Sequence, residues 1–177
     1  LVQEDLAAFR PRALRECRAA GEALNPEVLA KWRAATGITI REGYGQTETV
    51  FLCGGLPGME VRPGSMGLPP PGLDVAVIDA SGARVRPGEV GEIAVRSSPE
   101  RPVGLFAGYL GSEEATARCC RQGWYHTGDC ARVDEDGYFW FEARADDIIT
   151  SSAYRIGPFE VESALMEHPA VAEVAVV

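Results

Sequence analysis

The chain has 177 residues, 46% apolar and 24% charged, with a formal charge of -9, enough for one good core or two small ones and ordinary for a globular protein. That acidic balance argues against a protein that grips nucleic acid through a broad basic face. It does not exclude a polyphosphate ligand, because salt screens surface charges beyond about 8 Å and a contacting pair of arginines outweighs distant acids.

No apolar run approaches the ~20 residues that span a bilayer, and no secretory signal is visible. Cys17, Cys53, Cys119, Cys120 and Cys130 lack C-x-x-C spacing and read as reduced, structural thiols of an intracellular protein. With His126 and His168 as the only histidines, a Cys/His zinc site is disfavoured. Leu1 and the apolar run Val171 to Val177 read as cuts through a larger protein.

In chain order, Leu1 to Phe9 reads as the end of a helix, and Leu14 to Arg18 as a short strand entering the tight turn Gly21-Glu22-Ala23. Asn25-Pro26 starts a helix, since Asn caps and Pro fits the first helical position. Val28, Trp32 and Ala35 form its apolar stripe, which makes Trp32 a core residue, and Gly37 ends it. Ile38-Thr39-Ile40 alternates as a buried strand arriving at a turn. Strand, helix, strand predicts an α/β sheet, with the glycine-containing stretch Glu42 to Glu48 at a strand's carboxyl end, where ligands of open α/β sheets bind.

Gly54 to Pro71, rich in Gly and Pro, reads as loop. Leu73 to Ile78 and Gly91 to Arg96, separated by the turn Pro87-Gly88, predict antiparallel strands of a small β subdomain. Ser112 caps a short helix to Cys119, with Glu113 and Glu114 in its first turn. Asp129 to Val133 and Tyr138 to Glu142 flank Asp134-Glu135-Asp136-Gly137, a hairpin signal. A second domain is expected from about Asp146. In it Gly157-Pro158 opens a helix with Val161, Ala164 and Leu165 on one face, His168-Pro169 closes it, and Val171 to Val177 begins a strand. No internal repeat or low-complexity tract is present.

Glu42-Gly43-Tyr44-Gly45-Gln46-Thr47-Glu48 carries the densest chemistry. Its glycines let backbone approach a ligand closely. A ring, an amide, a hydroxyl and a carboxylate follow one another, a set able to stack a base, bond a phosphate and hold a hard cation through oxygen. The competing reading is a strand ending in a glycine turn, with Glu48 as a helix N-terminal acid. Gly123-Trp124-Tyr125-His126-Thr127-Gly128-Asp129 is the second constellation. A lone Asp at a strand entrance is commonly a turn or cap residue, yet an ionised carboxylate also suits two vicinal ribose hydroxyls.

Y-G-Q-T-E resembles the adenine-and-phosphate motif of the acyl-adenylate-forming enzymes, which include acyl-CoA synthetases, luciferases and the adenylation domains of peptide synthetases. T-G-D resembles that superfamily's ribose motif, and Ser151-Ser152-Ala153-Tyr154-Arg155-Ile156-Gly157 its S-G-Y-R-I-G loop. The resemblance implies that Tyr44 stacks on adenine, with Gly21, Glu22 and Ala23 lining the other side of the base, and that Glu42, Gly43, Gly45 and Gln46 complete the nucleotide site. It further implies Thr47 at a phosphate or acyl-adenylate carbonyl, Glu48 at Mg²⁺, Asp129 at the ribose, and Arg144 at ribose and phosphate. Asp146 matches the hinge, Arg155 the phosphate or acyl-carboxylate region, and Ser152, Ala153 and Tyr154 the pantetheine path of coenzyme A.

The likeness runs end to end. Arg41 to Glu48, Arg101-Pro102-Val103-Gly104-Leu105-Phe106 and Ala164 to Pro169 look most like the medium-chain acyl-CoA synthetases of the mitochondrial matrix. The fold this implies is α/β: residues 1–145 as the C-terminal part of a large adenylate-forming N-domain (α/β sheet plus small β subdomain), and 146–177 as the hinge and start of a small α+β C-terminal domain. The implied reaction joins a medium-chain or aryl carboxylate to ATP, giving acyl-AMP and pyrophosphate, and then to coenzyme A. The implied partner is a small carboxylic acid, with no nucleic acid and no membrane span.

Three positions depart from the family: Gly43 where Ser is usual, expected to change little, and Ala143 and Ala153 where Gly is usual. If those sites need φ > 0, Ala costs roughly 1 kcal/mol, so the thioester step is the half-reaction most exposed. No phosphate loop ending in Lys occurs, and Lys31 is the only lysine, so the piece alone is expected to be inactive. Two other readings stay open at this point: a degenerate homologue that binds without turnover, and a peptide-synthetase adenylation domain.

Overall fold

The computed structural model describes residues 6, 9, 11–21, 24, 26–147, 149–151, 154–166, 168, 170–171 and 174–176. The expected helix at Leu1 to Phe9 lies largely outside them, as do Glu22, Ala23, Ser152, Ala153 and the side chains of Tyr154 and Arg155.

A parallel pair with a helical crossover forms the first unit. Strand β1 (Cys17–Ala19) leads through helix α1 (Pro26–Thr36) to β2 (Ile40–Gly45), and β1 and β2 pair in parallel. The helix forms where predicted. Its Leu29 and Trp32 pack against Ile40 of β2, and Gly37 terminates it with φ +73° while its N–H donates to the Arg33 carbonyl at 2.8 Å. Strand β3 (Phe51–Gly54) adds antiparallel to β2, giving the order β1-β2-β3. The strand therefore continues through Gly43-Tyr44-Gly45, where the sequence reading placed a turn. Only Gln46 to Thr49 turns, closed by Thr49 N–H to the Gln46 carbonyl at 3.1 Å.

A five-stranded antiparallel sheet forms the second unit: β4 (Val75–Ile78), β5 (Val90–Arg96), β6 (Cys120–Arg121), β7 (Trp124–Val133) and β8 (Phe139–Arg144). The order is β4-β5-β7-β6, and β8 pairs with the downstream half of β7. Strand alternation sorts the side chains: Val75, Val77, Ile93 and Val95 enter the main core with Leu52, Cys53, Tyr125 and Phe139. Ala76, Ile78 and Ala94 pack on the other face against Trp124. Helix α2 (Glu113–Cys119) starts at Ser112, whose hydroxyl accepts from the Ala115 N–H. The Gly54 to Pro71 stretch is a loop clamped between the two sheets. Gly67 comes so near Gly54 that a Cβ there would stand 2.3 Å from its carbonyl carbon, and isolated bridges join Gly54 to Leu68 and Gly67 to Phe139.

Beyond β8 come a short hairpin, β9 (Ile149–Ser151) and β10 (Tyr154–Ile156), and helix α3 (Pro158–Met166). Gly157 seats α3 on β8, since a Cβ there would lie 2.1 Å from the Glu142 carbonyl oxygen. On the predicted apolar face of α3, Val161 is half-buried while Ala164 and Leu165 are exposed, Leu165 at 46%. The predicted strand from Val171 is not formed at Val171 or residues 174–176. An apolar run becomes strand only by pairing, and the described residues of this run pair with no strand.

Candidate active site

The carboxyl end of β2 and the middle of β7 meet, and their side chains converge on Asp129, which is 5% exposed. Tyr44 Oη donates to Asp129 Oδ2 at 2.5 Å, and Gln46 Nε2 donates to the same oxygen at 2.7 Å and to the Thr127 carbonyl at 2.9 Å. Tyr125 Oη donates to Gln46 Oε1 at 2.8 Å, which fixes the amide with its N–H groups toward Asp129. From β8, directly opposite Asp129 in the ladder, Arg144 donates to Oδ1 at 3.2 Å.

These bonds set the local electrostatics. Burial first, and the Asp129 carboxylate second, push the Tyr44 phenol far above the usual tyrosine range, so it is a permanent donor. Burial opposes the charge of Arg144, but Asp129 and Asp146 outweigh it and hold the guanidinium above its ordinary value. Asp129 has about four lone-pair positions, of which three already accept. A ligand hydroxyl reaching Asp129 would therefore share the carboxylate with the protein's own donors, of which Arg144 is the most exposed, 48% at its side chain.

Two cavities adjoin at this point, and Arg144 lines both. One, of about 340 Å³, is bounded by Gly21, Gly43, Tyr44, Gly45, Gly64, Met66 and Phe141, with Glu42 and Asp129 at its edge. Its walls are mostly apolar. The other, of about 700 Å³, is polar and lined by Gln46, Thr47, Glu48, Glu92, Tyr109, Arg118, Arg121, His126 and Gly128 among others. Such a pair suits a ligand with a flat apolar end joined to a charged end, the joint lying at a carboxylate and a guanidinium.

Glu48 sits in a turn, not at a helix N-terminus. Its Oε1 accepts from Tyr109 Oη at 2.7 Å, a bond that, ahead of burial, pushes the Tyr109 phenol up to about 12. Oε2 has no hydrogen-bond partner among the described residues, and Glu48 lines the polar cleft. No cluster of three His, Cys, Asp or Glu able to hold a metal occurs among them. A hard cation at Glu48 would complete its shell with ligand and water oxygens, a set that Mg²⁺ takes readily. The carboxylate fits.

Glu42 does something the sequence did not reveal. Its oxygens accept from Leu24 N–H at 2.8 Å and Gly64 N–H at 3.3 Å, tying two loops around the apolar cavity. Asp146 stands 3.4 Å from Arg144 Nε and is 74% exposed at its side chain. Ala143 is buried in β8; among described non-glycine residues only Gln122 has positive φ, so Ala143 carries no backbone penalty. A Cβ at Gly43 would lie 1.8 Å from Phe51 Cε1, the outer edge of an exposed ring that would have to turn aside. Sequence reasoning missed Glu92, Tyr109, Arg118, Arg121, Tyr125 and His126 in the polar cleft. Only His126 and Tyr125, adjoining T-G-D, had a positional signal.

A strand-helix-strand unit beside an antiparallel sheet thus places its cleft at the Y-G-Q-T-E strand end. The chain belongs to the AMP-binding enzyme family, whose model matches residues 2–110. Over all 177 residues it is 56% identical to the mitochondrial acyl-coenzyme A synthetase ACSM3 of Mus musculus, and it spans 30% of that protein's length. The anthranilate CoA ligase AuaEII, solved with anthranoyl-AMP, superimposes with a TM-score of 0.81 at 36% identity over 93% of this chain and 31% of its own. The O-succinylbenzoate coenzyme A synthetase of Bacillus subtilis, solved with ATP and magnesium, gives 0.79 at 31% identity over 92% and 33%. The likeness to acyl-CoA synthetases and the α/β fold read from the sequence are borne out. Among the described residues no helix is long and apolar enough to cross a membrane.

Proposed function

We propose that the full-length protein carrying this chain is an ATP-dependent acyl-CoA synthetase for a medium-chain fatty or aryl carboxylic acid. The carboxylate oxygen attacks the α-phosphorus of ATP and pyrophosphate leaves, forming acyl-AMP. The thiol of coenzyme A then attacks the acyl carbon, losing its proton, and AMP departs. Adenine occupies the apolar cavity between Gly21 and the Tyr44 ring, while Asp129 accepts from a ribose hydroxyl. Arg144 turns from Asp129 toward the phosphates as the ribose arrives. Thr47 donates to a phosphate or acyl-adenylate oxygen. Glu48 would hold Mg²⁺, which when bound neutralises phosphate charge.

The observation that carries this reading is an apolar cavity and a polar cleft that share Arg144, which is bonded to Asp129 in the wall of the apolar one. Names of relatives that include "mitochondrial" support a matrix location, and the synthetase likeness supports a small carboxylic acid as the partner. Residues 1–145 are read as part of a large domain and 146–177 as the beginning of a second, with Asp146 at the pivot and Arg155 brought to the acyl-phosphate region by its motion. Ser152, Ala153 and Tyr154 are assigned to the coenzyme A path. The 177 residues alone are expected not to turn over, since Lys31 lies on α1 beside Glu27. Pyrophosphate release by the full-length protein with hexanoate, octanoate or benzoate tests the assignment. Release with at least one supports it, and none with any of them overturns it.

A further inference from the structure

Strands β5 and β7 fall out of step at T-G-D. Glu92 faces Cys130 and Ala94 faces His126, so Ile93 alone opposes Thr127, Gly128 and Asp129. The two extra residues on β7 bulge out of the ladder, with Gly128 at φ +74°. A bulge has lost ladder bonds, and here side chains replace them. Glu92 Oε1 accepts from the Gly128 N–H at 2.9 Å, and Oε2 lies 2.7 Å from His126 Nδ1. Thr127 Oγ1 donates to the Ile93 carbonyl at 2.8 Å and accepts from the Asp129 N–H at 3.1 Å.

A carboxylate suits this place because it only accepts and has two oxygens, so one side chain can hold donors two residues apart on the bulging strand. Arg121 stands 3.8 Å from Oε2 and offsets its charge. The His126 side chain is 4% exposed, and its Nε2 is buried with no partner among the described residues. The ring is therefore held through Nδ1 alone, which makes Glu92 its anchor. The bulge in turn sets both arms of the site. Asp129 follows Gly128 directly, and the Gly128 carbonyl accepts from Ala145 N–H at 2.8 Å, beside Arg144.

We propose that Glu92 and His126 are a positioning pair that clamps the T-G-D bulge and so aims Asp129 at the ribose. The proposal rests on the reading of Asp129 given above. Its test is nucleotide discrimination by the full-length protein: kcat/KM for acid-dependent pyrophosphate release with ATP, 2′-deoxy-ATP and 3′-deoxy-ATP. The wild type is expected to favour ATP over at least one deoxynucleotide by about tenfold, an amount in keeping with a charged hydrogen bond. Glu92→Ala is expected to reduce that preference at least threefold. Glu92→Gln, which keeps one accepting oxygen, is expected to recover part of it, and His126→Phe to fall between.

General destabilisation lowers rates with all three nucleotides alike and leaves the ratio unmoved. A wild-type ratio retained in Glu92→Ala and His126→Phe therefore overturns the clamp while Asp129 keeps its role. No discrimination by an active wild type overturns the reading of Asp129 and the clamp with it. Should Glu92→Ala fail to accumulate, the ratio is read from Glu92→Gln by the same criterion.

Discussion

Asp129 and Asp134 stand on one hairpin, and each faces an arginine. Asp134 accepts from Arg62 at 2.8 Å, Trp140 Nε1 at 3.1 Å, and the backbone N–H groups of Asp136 and Tyr138. Burial pushes its pKa up, but those four donors outweigh burial and hold it below the ordinary carboxylate value of 3.8. Its bonds close a turn and bind the adjoining loop through Arg62, which also lies 4.1 Å over the Tyr138 ring. Asp129 accepts from three side chains on two segments, the β2 end and β8, and lines the apolar cavity. Similar chemistry does different work because Asp134, 24% exposed at its side chain, mainly closes its own turn, whereas Asp129, 8% exposed, gathers distant donors beside the apolar cavity.

The largest effect expected separates the pair directly. Asp129→Ala in the full-length protein leaves Tyr44, Gln46 and Arg144 without their shared acceptor and the ligand without a charged one, and a hydrogen bond to a charged group is worth about 1.5–3 kcal/mol. Steady-state kinetics should show kcat/KM for ATP falling by roughly one to two orders of magnitude. Asp134→Ala should lower thermal stability and leave KM for ATP within about twofold, since only a turn is loosened. Equal kinetic losses in both would erase the distinction.

A smaller effect is expected from the arginines. Arg144→Ala should raise KM for ATP by about tenfold, the loss of one charge-assisted contact. Arg62→Ala should shift the melting temperature alone.

The glycines sharpen the comparison further. Gly128 and Gly137 have φ of +74° and +88°, so alanine at either should cost about 1–2 kcal/mol by thermal denaturation. A Cβ at Gly128 would also lie 3.3 Å from an Arg144 nitrogen, while at Gly137 its nearest neighbour is Leu68 at 3.6 Å. Only Gly128→Ala is therefore expected to weaken ATP use, by a few-fold.

The smallest effect lies in pH. Because the folded pKa of Asp134 is below its unfolded value of 3.8, its contribution is whole above that value and is lost as pH falls through the depressed one. Denaturation of wild type and Asp134→Asn should therefore differ at pH 6 and converge in strong acid. A constant gap across that range would assign the difference to something other than this carboxylate.

The sequence by itself determined the elements and the chemistry available. Apolar alternation placed β4 and β5, Asn25-Pro26 and Gly37 bounded α1, the Asp134 to Gly137 turn placed the β7–β8 hairpin, and Y-G-Q-T-E and T-G-D named the segments that meet. These are local properties, set by side-chain period, backbone freedom and capping within a few residues. Tertiary structure alone decided that the Tyr44 hydroxyl and Gln46 amide seize Asp129, that Glu42 ties loops, and that Glu92 grips a bulge 36 residues away in the chain. A hydrogen bond between distant segments depends on register and twist, which no window of sequence contains.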